Sequence, residues 1–560
     1  MGHNVRAGVF FCNCNGKIAE MVDYGFIASE VKKNPVVEFV RESQYLCAHL
    51  EGELMIKELD KHQLNRVVIV GCSMAGREKI FTSVLKKAGL DPHYLSIANI
   101  SEACGNAYGT SSAATAKALE LTMMAIARAV QLEQVGFGEF TVERTVLVIG
   151  GGLAGLETAL ECADRGFKVI LIEKEDKLGG RLSRVNSIFG VVKKPAELLQ
   201  EKIKKVESNS NIEVRTGTRL ADLDGAIGNF TTYFVKNGTE STAKVGAIVV
   251  ATGVQTIFCP VKYGLGITDK VIGQMKLERL LADGKDFTRK KISFVVGKTT
   301  EDYTLSFLIA MKNALLLREQ YKASVNFFYT NVKVGGDHWE ALYTEARAAG
   351  VNFFKFTDRL DINVQNNEII ISYEDPFIQG KLPGTCIITS DYIILPEEIV
   401  PAEGSEELAK ILRLEPGPES FFGADNVHLL PPYTSRDGIY LAGGCQSPCM
   451  VTDIEISART VAGEILKTLY SDKILVELTS PIVDPAKCVV CLTCYRCCPH
   501  HAITIEHREE FKNLYKSAAQ MNPLACRRCG ICAAECPGKA VQLPDYTDAQ
   551  ILAQLEAVEG

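Results

Sequence analysis

Nine cysteines fall between Cys488 and Cys536. Cys488, Cys491, Cys494 and Cys498 follow the spacing C-x2-C-x2-C-x3-C, with Pro499 next. Cys526, Cys529, Cys532 and Cys536 repeat that spacing, with Pro537 next. Each position recurs 38 residues later, and AITI at 502–505 is matched by AVQL at 540–543, so the segment is an internal duplication. Three cysteines two residues apart wrap one face of a 4Fe–4S cubane. The fourth, before proline, lies too far along the chain to close its own site and ligates the other cluster in two-cluster bacterial arrangements. The spacing therefore assigns Cys488, Cys491, Cys494 and Cys536 to one cluster, and Cys526, Cys529, Cys532 and Cys498 to a second. Zinc competes, but zinc ribbons use paired C-x2-C knuckles. Cys497 is left over and reads as a small packed thiol. Lys487, Arg496, Arg527, Arg528 and Lys539 read as surface charges more readily than as tuners of cluster potential.

A second chemistry lies in RTVLVIGGGLAGLETALECADRGFKVILIE, residues 144–173. A β-branched strand runs into a glycine turn, a helical pattern follows, and a second strand ends at Glu173. Gly150, Gly152 and Gly155 form G-x-G-x-x-G, with Leu153 and Ala154 opening the helix. The first glycine allows the turn, the second lets backbone approach a pyrophosphate, and the third lets helix pack on strand. Glu173, with Lys174 beside it, stands where a carboxylate accepts from ribose hydroxyls. The motif alone does not separate FAD from NAD. Three segments favour FAD: LGGRL with Gly180 and Arg181, GAIVVATGV ending in Ala251, Thr252 and Gly253, and GIYLAGGCQ with Gly443 and Gly444. They resemble the glycine doublet, closing strand and last flavin-contacting strand of the glutathione-reductase-like superfamily. That superfamily places Asp after Ala-Gly, where this chain has Gly444 and Cys445. A second Rossmann unit is expected at 291–317, but it keeps only Gly297 of the fingerprint and carries Thr299 and Thr300, so NAD(P)H is not expected to bind there. Cys445 and Cys449 read as packing before a disulfide shuttle, and Cys162, Cys259 and Cys386 as ordinary core.

The elements that must position a third group lie in residues 1–134. Strands are expected at VRAGVFF, NRVVIVG and HYLSIAN, and helices at GELMIKELDKH and MAGREKIFTSVLKKAG. Cys12 and Cys14, Cys72 and Cys104 follow those strands, and Cys47 lies in QYLCAHLEG. Carboxyl ends of parallel strands share one edge, so four of these five thiolates could hold another 4Fe–4S cluster, though spacing does not choose which four. Inert buried cysteines are the competing reading. The stretch 111–134 is expected to bridge to the flavin domain, with Met123 and Met124 in the core.

At 560 residues the chain is too long for one core, and roughly three to five domains are expected. The formal net charge of -7 argues against nucleic-acid binding. There is no apolar run long enough to span a membrane, and MGHNVRAGVFF lacks the layout of a secretory signal. A cytoplasmic location follows, where nineteen cysteines point to metal or redox chemistry and not to disulfides. The fold class read from these parts is α/β. It comprises an N-terminal α/β cluster domain (1–134), a Rossmann-type FAD domain of the glutathione-reductase-like superfamily (135–475, its degenerate second unit at about 255–400), and a C-terminal α+β two-cluster ferredoxin domain (476–560).

The order of parts, with GVFFCNCNGKIAE, QYLCAHLEG, VIVGCSMAGRE, ANISEACGNAY, the glycine fingerprint and GIYLAGGCQSP, resembles the FAD-bearing iron–sulfur subunit of heterodisulfide reductases, the A-like one, over nearly the whole chain. The resemblance implies an N-terminal cluster. It also implies an oxidoreductase component of anaerobic metabolism that passes electrons between FAD, its clusters and partner subunits. In some complexes of that family the flavin bifurcates electron pairs. Implied partners are B- and C-like subunits, a hydrogenase, formate dehydrogenase or other donor module, and ferredoxin, with room for a homodimer in the complex. Two departures stand out. No ferredoxin module is inserted in the flavin domain, and VVGKTTEDYTLSFLIAMKNA replaces a cysteine-rich segment that many members carry. No substrate-turnover constellation is identifiable, so catalytic residues are unknown. The rival readings are a self-contained flavin oxidoreductase, similar to the small subunit of glutamate synthase and dependent on NAD(P)H or ferredoxin, and a scaffold whose clusters are structural.

Overall fold

The computed structural model describes residues 5–72, 78–105, 107–108, 111–191, 193–266, 268–298, 304–336, 338–357, 359–365, 368–375 and 385–559. The chain falls into two compact units, Met1–Glu139 with Leu475–Gly560, and Phe140–Ile474.

The first unit starts as a β/α alternation: β1 (Ala7–Cys12), α1 (Tyr24–Val31), β2 (Val37–Ser43), α2 (His49–Lys61), β3 (Arg66–Gly71), α3 (Glu78–Lys87), β4 (Leu95–Asn99) and α4 (Ser111–Val130). The four strands are parallel, in the order β2-β1-β3-β4. Strands β1 and β3, AGVFFC and RVVIVG, are buried throughout, as a sheet covered on both faces requires. Strand β2, which the sequence did not announce, sits at the edge, where Glu38, Arg41 and Glu42 break its apolar pattern. Asp23 caps α1, its carboxylate accepting from the Phe26 N–H at 2.9 Å.

The stretch expected to bridge to the flavin domain instead packs within this unit as α4. Ala114, Ala118, Ala125 and Ala129 are buried along one face, and such small side chains let the helix lie close on β3 and β4. Arg66 of β3 closes the end of α4, donating to the carbonyls of Ala129 at 2.9 Å and Leu132 at 2.8 Å. Met123 packs at the margin of this core and Met124 is half-buried. Strand β5 (Phe137–Thr141) follows.

The second unit runs through β6 (Thr145–Ile149), α5 (Leu153–Asp164), β7 (Lys168–Ile172), α6 (Pro195–Glu207), β8 (Ile212–Arg215), β9 (Thr218–Ala226), β10 (Asn229–Lys236), β11 (Thr239–Val245), β12 (Ala247–Val250) and β13 (Val254–Ile257). A second half follows: β14 (Val271–Gly273), α7 (Gln274–Ala282), β15 (Lys291–Val296), α8 (Thr304–Tyr321), β16 (Ser324–Tyr329), α9 (Trp339–Ala348), β17 (Asn352–Lys355), β18 (Leu360–Gln365), β19 (Glu368–Glu374), β20 (Thr385–Ser390), β21 (Tyr392–Leu395) and β22 (Glu398–Pro401). The chain returns through α10 (Ser405–Leu412), β23 (Ile439–Leu441) and α11 (Val451–Thr468). Each half holds a parallel five-stranded sheet, β23-β12-β6-β7-β8 in one and β14-β21-β15-β16-β17 in the other, with an antiparallel three-stranded sheet beside it in sequence. The antiparallel pair β13–β22 runs where the chain crosses between halves.

After β24 (Lys473–Glu477) come β25 (Ile482–Val483), α12 (Thr493–Cys497), β26 (Ile503–His507), β27 (Ser517–Met521), α13 (Ile531–Ala534), β28 (Val541–Gln542) and α14 (Asp548–Glu559). Strand β25 pairs with β28 and β26 with β27, both antiparallel. Helix α14 lies against α4, where Arg128 donates to the Asp545 carbonyl at 3.0 Å and stands over the Tyr546 ring. No helix among the described residues is long and apolar enough to cross a membrane.

Candidate functional site

The duplicated cysteine loops are duplicated in backbone as well. Val490 and Leu492 have φ of 53° and 64°, and their counterparts Arg528 and Gly530 have 55° and 80°. These left-handed residues reverse the chain between successive cysteines, which turns thiols to one side. Backbone N–H groups point at the sulfurs in matching places: Ala502 donates to Cys498 Sγ at 3.4 Å and Ala540 to Cys536 Sγ at 3.3 Å. Such bonds hold thiolates and set cluster potentials.

The proline-marked cysteines face the opposite triplets. Burial, joined by Cys488, Cys491 and Cys536, pushes the Cys494 thiol up to about 11. Cys532 is pushed to about 12, first by burial, then by Cys526, Cys498 and Cys529. Cys526 rises through burial and through Cys498 and Cys529. Mutual repulsion of this kind marks thiols crowded around space that a cationic core would neutralise. A pocket partly open to solvent is lined by Cys488, Cys491, Cys494 and Cys536. The donor set and the space fit a cubane. Among the described residues no three His, Cys, Asp or Glu side chains close around one ion, whereas cluster thiolates bind four separate irons and stand farther apart. Cys497 lies outside both quartets, with its sulfur 3.5 Å from the Cys494 carbonyl.

The N-terminal cysteines sit at the carboxyl edge of the four-stranded sheet. Cys12 ends β1 and Cys14 follows it, Cys47 lies four residues past β2, Cys72 follows β3, and Cys104 lies in the turn after β4. Cys14 is pushed up to about 12 by burial, then by the neighbouring thiols of Cys12 and Cys72. Cys47 packs against the same hydrophobic cluster that contains Cys12 and that Cys14 borders. Cys104 is fully buried and feels Lys117 and Glu120 of α4 instead of the other thiols. Tyr24 donates to the Cys12 carbonyl at 2.8 Å and is raised by burial and by the thiols around it.

In the second unit four backbone segments converge at close range. Gly150 has φ of 115°, and a Cβ there would stand 2.5 Å from the Ala251 carbonyl oxygen. A Cβ on Gly155 would lie 1.8 Å from the Gly150 carbonyl oxygen. Gly180 abuts Gly152, Gly443 abuts Ala154, and Gly444 abuts Gly253. Leu153 and Ala154 are the first buried residues of α5, whose N-terminal end has no side-chain cap. Glu173 is buried and accepts from the N–H groups of Gly151 at 2.7 Å and Glu175 at 2.9 Å. The hydroxyl of Thr252 is buried without a hydrogen-bond partner among the described residues. A glycine-lined cradle, an uncapped helix end, a held carboxylate and an orphaned hydroxyl fit FAD. Lys174 turns away to the surface and donates to the Glu403 carbonyl at 3.1 Å.

Cys445 is fully buried, its S–H donating to the Val250 carbonyl at 3.1 Å, and burial pushes it to about 12. Burial, aided by Asp453, pushes Cys449 to about 12 as well. Thiols held protonated in this way make poor exchange nucleophiles. Cys162 is core, but Cys259 and Cys386 are half-buried instead of core: Cys259 opens a short turn and Cys386 lies on β20. Thr299 and Thr300 lie outside the described residues. In the second half the sequence reading missed a buried ion pair, Lys312 with Glu278, in which Lys312 also donates to the Ser187 carbonyl at 2.8 Å. Burial pulls Lys312 below its ordinary value. The available signal was one lysine amid the apolar run SFLIAMKNALLL.

Residues 144–297 match the pyridine nucleotide-disulphide oxidoreductase family, and residues 480–538 match the 4Fe-4S dicluster domain. The chain is thus an oxidoreductase built from an FAD domain and a 4Fe–4S ferredoxin domain. The first of two A-type iron–sulfur subunits of CoB–CoM heterodisulfide reductase in Methanopyrus kandleri is 29% identical over 99% of this chain and 98% of its own. The A-type iron–sulfur subunit of the Methanocaldococcus jannaschii enzyme is 28% identical with the same coverage. Its counterpart in the H2/formate:CoB–CoM heterodisulfide, ferredoxin reductase of Methanococcus maripaludis is 26% identical over 90% of this chain and 91% of its own. Lactococcus lactis thioredoxin reductase aligns with 58% of this chain and 99% of its own at 18% identity, with a TM-score of 0.41. Over nearly its whole length the chain is similar to the A-type subunits of heterodisulfide reductase, and its domains are those of a flavin and iron–sulfur electron-transfer subunit.

Proposed function

We propose that this cytoplasmic subunit routes electrons between one FAD, three 4Fe–4S clusters of its own and partner subunits of a heterodisulfide-reductase-type complex. The observation that carries this is the pair of interleaved thiol quartets, each closed by the cysteine of the other repeat. An FAD takes electrons in pairs and can pass them singly, whereas clusters carry one at a time. Gly150, Gly152 and Gly155 would leave the pyrophosphate its approach, Glu173, which holds the turn, would accept from ribose hydroxyls, and Ala251 to Gly253 with Gly443 and Gly444 would help hold the flavin. Cys12, Cys14, Cys47 and Cys72 are assigned to the third cluster, because Cys104 is sealed into the core beside α4.

Relatives' names couple the heterodisulfide to H2, formate and ferredoxin. On that ground the partners are taken to be a donor module of that kind, B- and C-like subunits and a ferredoxin, and the flavin is taken to split electron pairs between two acceptors.

Anaerobic purification tests the core of this. About twelve iron and twelve acid-labile sulfide per chain are expected, with one FAD. Cys536→Ser and Cys498→Ser should each remove one cluster and spare the other, as read by iron content and EPR. Loss of both clusters from either variant would contradict the crossed assignment. Clusters that never change redox state would favour a scaffold.

A further inference from the structure

Glu397 sits between β21 and β22, at the join of the two halves of the second unit. There β13 and β22 run antiparallel, Thr256 opposite Ile399 and Ile257 opposite Glu398. The Glu397 side chain is buried. Its Oε1 accepts from the Met275 N–H at 3.3 Å, while Oε2 is buried with no hydrogen-bond partner among the described residues. Gly273 makes the room, since a Cβ there would stand 2.1 Å from Oε1. Thr256 offers a hydroxyl, and Arg181 and Arg279 offer positive charge.

The segments that surround this carboxyl also wall the glycine cradle. Arg181 follows Gly180, which abuts Gly152. Thr256 lies four residues past Thr252. Met275 accepts from Arg181 through its sulfur at 3.4 Å. The other acids nearby are already paired: Glu278, which also faces Arg181, with Lys312, and Glu398 with Lys262. No salt bridge to Glu397 occurs among the described residues. Burial pushes its carboxyl up, against the opposing pull of Thr256, the Met275 N–H, Arg181 and Arg279. A buried acid balanced in this way responds to a new charge nearby, because added negative charge favours its protonated form.

We propose that Glu397 is the proton-holding residue of the flavin site, taking a proton from solvent when an electron pair arrives and returning it when the pair leaves. The electrons come from reduced iron–sulfur donors, which are oxidised. An O–H bond forms at Glu397 as a solvent acid loses its proton, so charge added at the cradle is matched by charge removed at the carboxylate. The inference rests on the glycine cradle being the FAD seat.

The test uses the full-length, FAD-loaded protein. The flavin midpoint potential is titrated with dithionite from mildly acid to mildly alkaline pH in the wild type, Glu397→Gln and Glu397→Asp. Glu397→Gln should keep its FAD and show a potential that falls with pH by one proton fewer per electron pair. Glu397→Asp should keep the wild-type slope. Equal slopes in wild type and Glu397→Gln at full flavin content would overturn the role of Glu397 and leave the FAD seat standing. A wild-type chain that binds no FAD would overturn the reading beneath it. Proton uptake by the wild type, followed with an indicator dye in weak buffer, decides independently of any variant. A proton beyond the one taken by the flavin is expected, and its absence overturns the proposal.

Discussion

The two halves of the second unit each run three consecutive parallel strands, β6-β7-β8 and β15-β16-β17, with a later strand beside the first, and differ at the ends of two of these strands. After β6 come Gly150, Gly151 and Gly152, while after β15 come Gly297 and Lys298. Lys298 thus stands where the first half has Gly151. Its ammonium donates to the Leu360 carbonyl at 2.6 Å, and burial pulls its pKa down. After β7 comes Glu173, while after β16 comes Thr330, whose hydroxyl donates to the Gly297 carbonyl at 3.3 Å. The sheet is specified by continuous apolar strands, VLVI and ISFVV, which both halves have. Capacity for a dinucleotide is specified separately, by a few residues beyond those strands. A fold can therefore be repeated while its ligand site is lost.

The largest effect that would sharpen this contrast comes from Gly155→Ala. The new Cβ would lie 1.8 Å from the Gly150 carbonyl oxygen, and backbone on both sides cannot give way. Loss of bound flavin is expected, with a stability drop of about 4 kcal/mol or more, read from the FAD-to-protein ratio and thermal unfolding. In the other half Gly297 has a φ of 87°, which an alanine there would adopt under strain. Gly297→Ala should cost roughly 1 kcal/mol and leave flavin content unchanged. Equal flavin loss from both variants would break the comparison.

A smaller effect is expected where the halves meet. Lys312→Met preserves volume but leaves Glu278 buried without its paired cation, with the Asn186 N–H at 2.9 Å and the more distant charge of Arg181. Removal of one partner of a buried pair should cost about 3 kcal/mol. Adding Glu278→Gln should restore most of it, because the stranded charge is then gone. Chemical denaturation of the single and double variants measures both. A double variant no more stable than Lys312→Met would show that the lysine stem, and not the pairing, carries the effect.

Lys312 also shows what the sequence could and could not convey. The duplicated cysteine spacing and the β6–α5–β7 glycine turn were legible because their chemistry demands fixed residue types at fixed intervals. Strand β2 was not legible, since an edge strand tolerates the charges that disguise its period. The place of α4 was not legible either: an alanine-rich helix reads as a spacer until the sheet it covers is known. Convergence is the remaining gap. That Cys14 meets Cys12 and Cys72, or that Glu397 meets Arg181, depends on crossings hundreds of residues apart in some cases and on no local pattern.

At neutral pH the Cys445 thiol should change nothing, and its effect is confined to alkali. Its folded value is raised to about 12 from an ordinary 9. A raised value contributes stability that is whole below pH 9 and is lost as pH climbs toward 12. Wild-type stability should therefore fall across that window, and Cys445→Ala should flatten the fall. Iodoacetamide at pH 8 should spare both Cys445 and Cys449. Rapid alkylation of either would return the thiol pair to consideration as a shuttle.

The smallest expected effect is none: NADH or NADPH added to the oxidised protein should not bleach the flavin. An adenine ribose in the second half would meet Thr330 where the first half has the carboxylate of Glu173. The pyrophosphate would meet the Lys298 side chain in place of a bare glycine, and that lysine is already committed to Leu360. Thr330→Glu alone should leave the protein just as unresponsive, because it supplies the carboxylate without clearing the approach. Rapid bleaching of the wild type would mean that the second sheet keeps a nicotinamide site built on other residues. Bleaching gained by Thr330→Glu alone would place the whole difference between the halves at the acid, and not at the glycines.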